Sequence, residues 1–487
     1  MRISSIIPCV RNANGSGHEQ RRQTDGPGKD EVNRMNDFRK TAQEMLEFIR
    51  ISPTCFHAVA NIGRMLEAAG FQQLQEKEEW KLEKGGRYYT ERNDSSVIAF
   101  VIPEKEVGIR GFHMAAAHSD SPCFKIKEKP ELTVEEHYLR LNTEKYGGMI
   151  LSTWLDRPLS VAGRLAVKNG NGIEGRLVNI DRDLCVIPNV AIHMNREMNK
   201  GVEYNPQVDL LPLLADVSFD EYDAHTTYDA QTASENAEEQ PETVEKPTLA
   251  ALAAETAGVD AETILGEDLF LYTRQEGKMI GAKGEFVLSP RLDDLQSAFA
   301  LTKAFTESTP AEYINLCAVF DNEEVGSGTR QGADSTFLED TLQRIAEGLQ
   351  ADHSSYLRWV ADSFLISADN AHAVHPNHPE KADPANRPYL NGGIVIKYHG
   401  SQKYTTDGIS AARMKDYCER AKVPYQTYAN RSDIAGGSTL GNISTAHVSV
   451  SSVDIGLPQL AMHSAVETAG MKDTEYAVRA LKEFWGE

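Results

Sequence analysis

The sequence predicts an α/β domain interrupted by a smaller, β-rich insertion, and three features carry that prediction. From about residue 95, short apolar runs of strand length alternate with helix-like segments. Between about 131 and 258 the character changes to β-rich segments, and the αβ alternation resumes near Leu269 and continues to the C-terminus. At 487 residues the chain is long enough for two domains, each with its own core.

Taken in chain order, residues 1–34 are rich in Asn, Gly, Arg and Asp and read as a disordered leader. Asp37 offers a cap to a helix that carries Phe38, Met45, Leu46, Phe48 and Ile49 on one face. Val97–Ile102 and Phe112–Ala117 have the length and composition of buried strands. Leu139–Asn142, Val161–Val167 and Gly175–Ile180 are β-rich, and the Asn-Gly pairs at 169–172 suit a hairpin turn. Asp223–Ala254 is poor in large apolar residues and reads as a mobile stretch. The expected organisation is one discontinuous domain, 35–130 with 259–487, around an insertion at 131–258.

Composition narrows the function. A net charge of −22, with no Lys/Arg stripe, excludes a nucleic-acid partner. No apolar run approaches the roughly 20 residues that span a bilayer, so no membrane association is expected. Ile6–Val10 is too short for a secretory signal core. The six cysteines are scattered without a CxxC pair, which fits a reduced, cytoplasmic setting.

The chemistry lies where apolar runs end. Met114–Ala117 leads to His118, Ile314–Phe320 to Asp321, Glu323 and Glu324, Phe364–Ala368 to Asp369, and Leu460–Met462 to His463. Asp293 and Asp294 stand just ahead of a helix-like run. Side chains at the carboxyl ends of strands in an α/β sheet converge on one crevice although they are distant in sequence. Two imidazoles and several carboxylates gathered there would suit two Zn²⁺ ions or another borderline divalent metal, with Asp293 placed to bridge them. Each piece alone has a plainer reading: a packed histidine, a solvated acidic pair, a helix cap. Their convergence favours the metal centre.

The segments HSDSPC (118–123), SPRLDD (289–294), DNEEVGS (321–327), SADNAHAVHPNH (367–378) and AMHSAVE (461–467), with GGMILSTWLDRPLSVAGR (147–164), resemble the aspartyl aminopeptidase family of dizinc metallopeptidases. The likeness runs in order from about residue 38 to 485. It implies a zinc-peptidase-like mixed sheet flanked by helices, with an inserted dimerisation domain. It implies that Asp293 bridges two cations, that His118 and Asp369 complete one site, and that Glu324 and His463 complete the other. Zn²⁺ is the expected ion, and Co²⁺ or Mn²⁺ could share these ligands. Glu323 would be the general base, and Asp120 the carboxylate that orients the site, its plainer reading being a turn cap.

The resemblance also implies a substrate-contacting His372, with Lys397 and Tyr404 near an acidic first side chain of a peptide with a free N-terminus. His375 is left structural. His193 would reach the active site of a neighbouring copy, making a dimer the catalytic unit and a tetrahedral dodecamer the assembly. Competing readings are a dimetal hydrolase with a neutral N-terminal preference, a deacylase or carboxypeptidase on the same ligands, and a non-catalytic assembly protein. No GxSxG, HExxH or P-loop motif is present, so serine-hydrolase and nucleotide mechanisms are unsupported.

Overall fold

The computed structural model describes residues 29–104, 108–217, 248–434, 436–437 and 439–487. Among these residues the strands form three sheets of nine, six and five members. The nine-stranded sheet is mixed. Its central members Ile314–Phe320, Phe112–His118, Phe364–Ala368 and Ser451–Gly456 lie side by side and parallel, in that spatial order. Antiparallel neighbours bound this parallel group, Ser96–Val101 on one side and Ile394–Tyr398 on the other.

The period-two alternation of these strands builds two cores. Val97, Ala99, Val101, Ala115, Ala117, Cys317 and Val319 face one way, onto the helices Lys29–Arg50, Cys55–Ala68, Leu292–Thr306, Gly408–Arg420 and Asp473–Trp485. Ile98, Phe100, Met114, Ala116, Leu316, Ala318 and Phe320 face the other way, onto Phe337–Gly348, His353–Ala361 and Leu440–His447. Strands apolar on both faces are what a sheet with helices on both sides requires.

The six-stranded sheet is antiparallel and begins and ends outside the 131–258 window. Cys123–Val134 and Ile264–Thr273 are two of its inner strands, paired to each other and to Tyr138–Tyr146 and Leu159–Asn169. Leu159–Asn169 turns into Gly172–Asn179 with Asn169 opposite Gly172, the tight hairpin that the Asn-Gly pairs announce. Gly170 has φ +59, a conformation that costs glycine little.

Three sequence expectations change. The first helix starts at Lys29, so Lys29–Arg34 are helical rather than leader, and Asp37 lies inside the helix instead of capping it. Its carboxylate pairs with Arg479 at 3.7 Å, and the expected apolar face from Phe38 to Ile49 is buried. The rest of the leader, 1–28, lies outside the described residues. In the stretch expected to be mobile, 223–247 is likewise outside them, but Leu249–Ala257 is a helix capped by Thr248. Leu249 and Ala253 are fully buried against the six-stranded sheet, an anchoring that a low-apolar composition does not reveal. No described helix is long and apolar enough to cross a membrane.

Candidate metal centre and active site

The parallel group sets the site. His118 is the last residue of its strand, with Phe320 beside it, and Asp369 directly follows Phe364–Ala368. Adjacent parallel strands bring these carboxyl ends together, as the fold class requires. Asp293 and Asp294 enter from the first turn of the helix Leu292–Thr306, which packs on the same sheet. Glu323 and Glu324 open a one-turn 3₁₀ segment just beyond Phe320.

His463 arrives differently. The apolar run before it forms a strand only over Pro458–Leu460, and that strand belongs to the five-stranded sheet, not to the catalytic one. It pairs there with Glu467–Gly470, which in turn pairs Ser289 with Glu467. This small sheet therefore fixes Glu467 between two chain segments. Its carboxylate accepts from the backbone N–H of His463 at 2.7 Å and of Asp293 at 3.0 Å. Glu467 lies in the AMHSAVE motif but takes no role in the sequence reading; an acid four residues past the candidate ligand His463 is the available signal.

One pocket is lined by His118, Asp293, Glu323, Glu324, Asp369 and His463, and by His372, Lys397 and Tyr404. Asp120 lies buried beneath it, 3.4 Å from His118 Nδ1. The two oxygens of Asp293 face different imidazoles: Oδ1 is 3.4 Å from His118 Nε2, and Oδ2 is 3.6 Å from His463 Nε2. Asp369 Oδ1 stands 4.0 Å from His118 Nε2, and Glu324 Oε1 3.4 Å from His463 Nε2. Each histidine commits its other nitrogen to a backbone carbonyl, His118 Nδ1 to Asp120 at 3.1 Å and His463 Nδ1 to Gly148 at 2.5 Å. Such contacts fix the tautomer and aim Nε2 at the acids.

The donor set fits divalent cations. Asp293 Oδ1, Asp294 Oδ1 and Glu324 Oε1 are buried without a hydrogen-bond partner, a costly state for carboxylates unless a cation compensates. His118, Asp293 and Glu324 offer ligand atoms within 4.8 Å of one another, and so do Asp293, Asp294 and Asp369. Burial drives Asp294 and Glu324 well above the usual carboxylate range, and for Glu324 the charge of Asp293 adds to it. Burial, with neighbouring acids Asp369, Asp120 and Asp293 and against the pull of His118, pushes Glu323 up to about 8. Positive charge at the cluster reverses that trend.

The remaining anticipated residues separate into two groups. Lys397 is buried 3.6 Å from Asp369 Oδ2 and 5.4 Å from the centre of the Tyr404 ring. His372 sits at the exposed rim against Tyr428, while His375 lies in an exposed segment outside the pocket. His193 is also exposed, in a turn following Asn189, and lines no part of the pocket of its own chain.

A sheet with this cluster at its strand ends defines a metallopeptidase of the zinc-peptidase-like fold. The Aminopeptidase I zinc metalloprotease (M18) family matches residues 48–485, and the chain belongs to that family: it is a metallo-aminopeptidase. It is 47% identical over 448 residues to the probable M18 family aminopeptidase 2 of Clostridium novyi (strain NT), covering 92% of this chain and 98% of that relative. The corresponding protein of Pseudomonas entomophila (strain L48) is 40% identical over 442 residues, covering 91% and 97%. A chain in the cryo-EM structure of the Ape4 and Nbr1 complex superposes with TM-score 0.85 at 36% identity, covering 93% of this chain and 86% of that one. Chaetomium thermophilum mApe1 gives 0.78 at 30%, covering 92% and 98%. The S. cerevisiae mApe1 dodecamer gives 0.76 at 26%, covering 92% and 97%.

Proposed function

We propose that this pocket removes the N-terminal residue of peptides, with preference for Asp or Glu, using two divalent cations, Zn²⁺ or an ion of similar demand such as Co²⁺ or Mn²⁺. The observation that carries the reading is the shared Asp293, one oxygen toward the His118–Asp369 side and the other toward the His463–Glu324 side. His118, Asp293 and Asp369 would hold one cation, and His463, Asp293 and Glu324 the other.

Cations held there would lower the pKa of a water and place positive charge at the scissile carbonyl. Glu323, which lines the same pocket, takes a proton from the attacking water and returns it to the leaving amine. Asp120 orients His118 and the turn that carries Glu323. The buried Lys397 pairs with an acidic first side chain, Tyr404 packs against that lysine, and His372 meets the peptide at the rim. The acids of the cluster also receive the free α-amino group, which limits cleavage to the first residue.

His193 serves the site of a neighbouring copy, and its exposure supports that role. A dimer is then the catalytic unit and a dodecamer, the form named for the S. cerevisiae relative, the assembly. Unpaired Cys55, Cys123, Cys185, Cys317 and Cys418 support a reducing, cytoplasmic setting. The domain reading of a catalytic unit around an inserted dimerisation unit rests on the separate core of the six-stranded sheet.

Glu323→Gln tests the base: turnover should fall about 10²–10⁴-fold with metal content unchanged. Near-normal turnover removes Glu323 from the role. Asp-, Glu- and Leu-aryl amides and an N-acetylated aspartyl substrate test the rest. Hydrolysis of the free acidic substrates alone is expected; a clear Leu preference overturns the acidic reading, and cleavage of the blocked substrate overturns the need for a free amine.

A further inference from the structure

Tyr146 ends the strand Tyr138–Tyr146 of the six-stranded sheet, opposite Cys123. Its ring packs edge-on against Phe270 of the Ile264–Thr273 strand, with centroids 5.6 Å apart. The sheet therefore fixes where the hydroxyl points, and it points out of the insertion toward the catalytic unit. There it donates to Oδ2 of Asp120 at 2.7 Å, while Asn322 Nδ2 donates to it at 2.8 Å. A phenol that gives one hydrogen bond and accepts one is satisfied as a neutral group.

Asp120 passes the constraint on. Its Oδ1 accepts from the N–H of Glu323 and its Oδ2 from the N–H of Glu324, both at 3.2 Å. These are the first two residues of a three-residue 3₁₀ turn, too short to hold its own direction. Asn322, the residue before the turn, is pinned as well: its Oδ1 accepts from Thr329 Oγ1 and Gln331 Nε2, both at 2.8 Å. The chain makes room for this contact with Gly147, next to Tyr146. Gly147 has φ +78, and a Cβ there would lie 3.1 Å from Cβ of Glu324.

We propose that Tyr146 is a positioning residue for hydrolysis: a side chain of the insertion that holds Asp120 and, through it, the turn presenting Glu323. The proposal rests on Glu323 acting as general base. It makes the aim of the base depend on how the six-stranded sheet sits against the catalytic sheet. The hydroxyl touches no reacting atom, so its effect is on the rate of the bound complex and not on peptide affinity.

The test is Tyr146→Phe in the full chain, which keeps the ring against Phe270 and removes only the hydroxyl. Steady-state kinetics on an unblocked aspartyl aryl amide should show kcat lower by about 10–100-fold, the range for losing a hydrogen bond to a charged group, with KM unchanged. Bound metal by elemental analysis and Tm should match the parent. A parental kcat overturns the proposal, and so does a loss of kcat that follows an equal loss of metal. The double variant Tyr146→Phe/Asp120→Asn should be no slower than Asp120→Asn alone; losses that multiply place the hydroxyl on another route and also overturn it. Glu323→Gln measured alongside keeps the two readings apart, because retained turnover there sinks the base assignment whatever Tyr146→Phe does.

Discussion

Lys397 Nζ lies 3.6 Å from Oδ2 of Asp369, and both side chains are nearly closed off from solvent. Burial opposes the ammonium charge, but Asp369, Tyr404, Asp454 and Asp293 outweigh it and hold the lysine above its ordinary value. A cation thus sits beside a proposed metal ligand, and among the described lining residues it is the one lysine or arginine.

Replacing that cation should change selectivity more than turnover in general. For Lys397→Met, kcat/KM on Asp- and Glu-aryl amides should fall about 10–100-fold, the range for a charged hydrogen bond lost to substrate. A Leu-aryl amide should be affected far less. Equal losses on both substrates would show that the lysine supports Asp369 and does not read the first residue.

Metal removal should act on stability as well as on activity. Four buried acids, Asp293, Asp294, Glu324 and Asp369, share one small volume. Stripping cations with a chelator should abolish hydrolysis and lower Tm by several degrees, since a ligand at a thousandfold excess over its Kd stabilises by about 4 kcal/mol. Adding back Zn²⁺ should restore both. A Tm that ignores metal content, verified by elemental analysis, would contradict the fit of this cluster to cations.

Acid sensitivity should trace in part to His113, far from the pocket chemistry. Its ring is stacked 3.7 Å from Tyr313 and 4.6 Å from Phe484, and burial, aided by Arg413 and Arg110, lowers its pKa to about 4. The unfolded histidine titrates near 6.5, so between the two values the unfolded chain binds more protons. Stability is therefore intact above pH 6.5 and is lost as pH falls toward 4, by on the order of 3 kcal/mol in total. His113→Phe keeps the stack without the titration. Denaturation at pH 7 and pH 5 should show the parent losing about 2 kcal/mol more than the variant; identical losses would refute the assignment.

Much of this was legible in the sequence because the fold's rules are local. His118 and Asp369 are readable as candidate strand-end ligands because each follows a run apolar on both faces, which only a covered sheet explains. His463 is readable as a candidate ligand but not as a turn residue outside the main sheet, because Leu460–Met462 looks like any other apolar run. Leu249–Ala257 was missed since its anchor is two fully buried small-to-medium side chains, Leu249 and Ala253, meeting a distant sheet. Tyr146 carries no signal in the sequence, and Glu467 carries only its place four residues past His463: their partners Asp120, Asn322, His463 and Asp293 are assembled only by tertiary pairing.

The order of the central strands has a consequence for biosynthesis. Ser451–Gly456 lies between Phe364–Ala368 and Ile394–Tyr398, so two halves of the sheet made earlier stay separated until the ribosome has passed residue 456. A nascent chain therefore holds exposed strand edges for most of its translation and has no hydrolytic centre until its last stretch emerges.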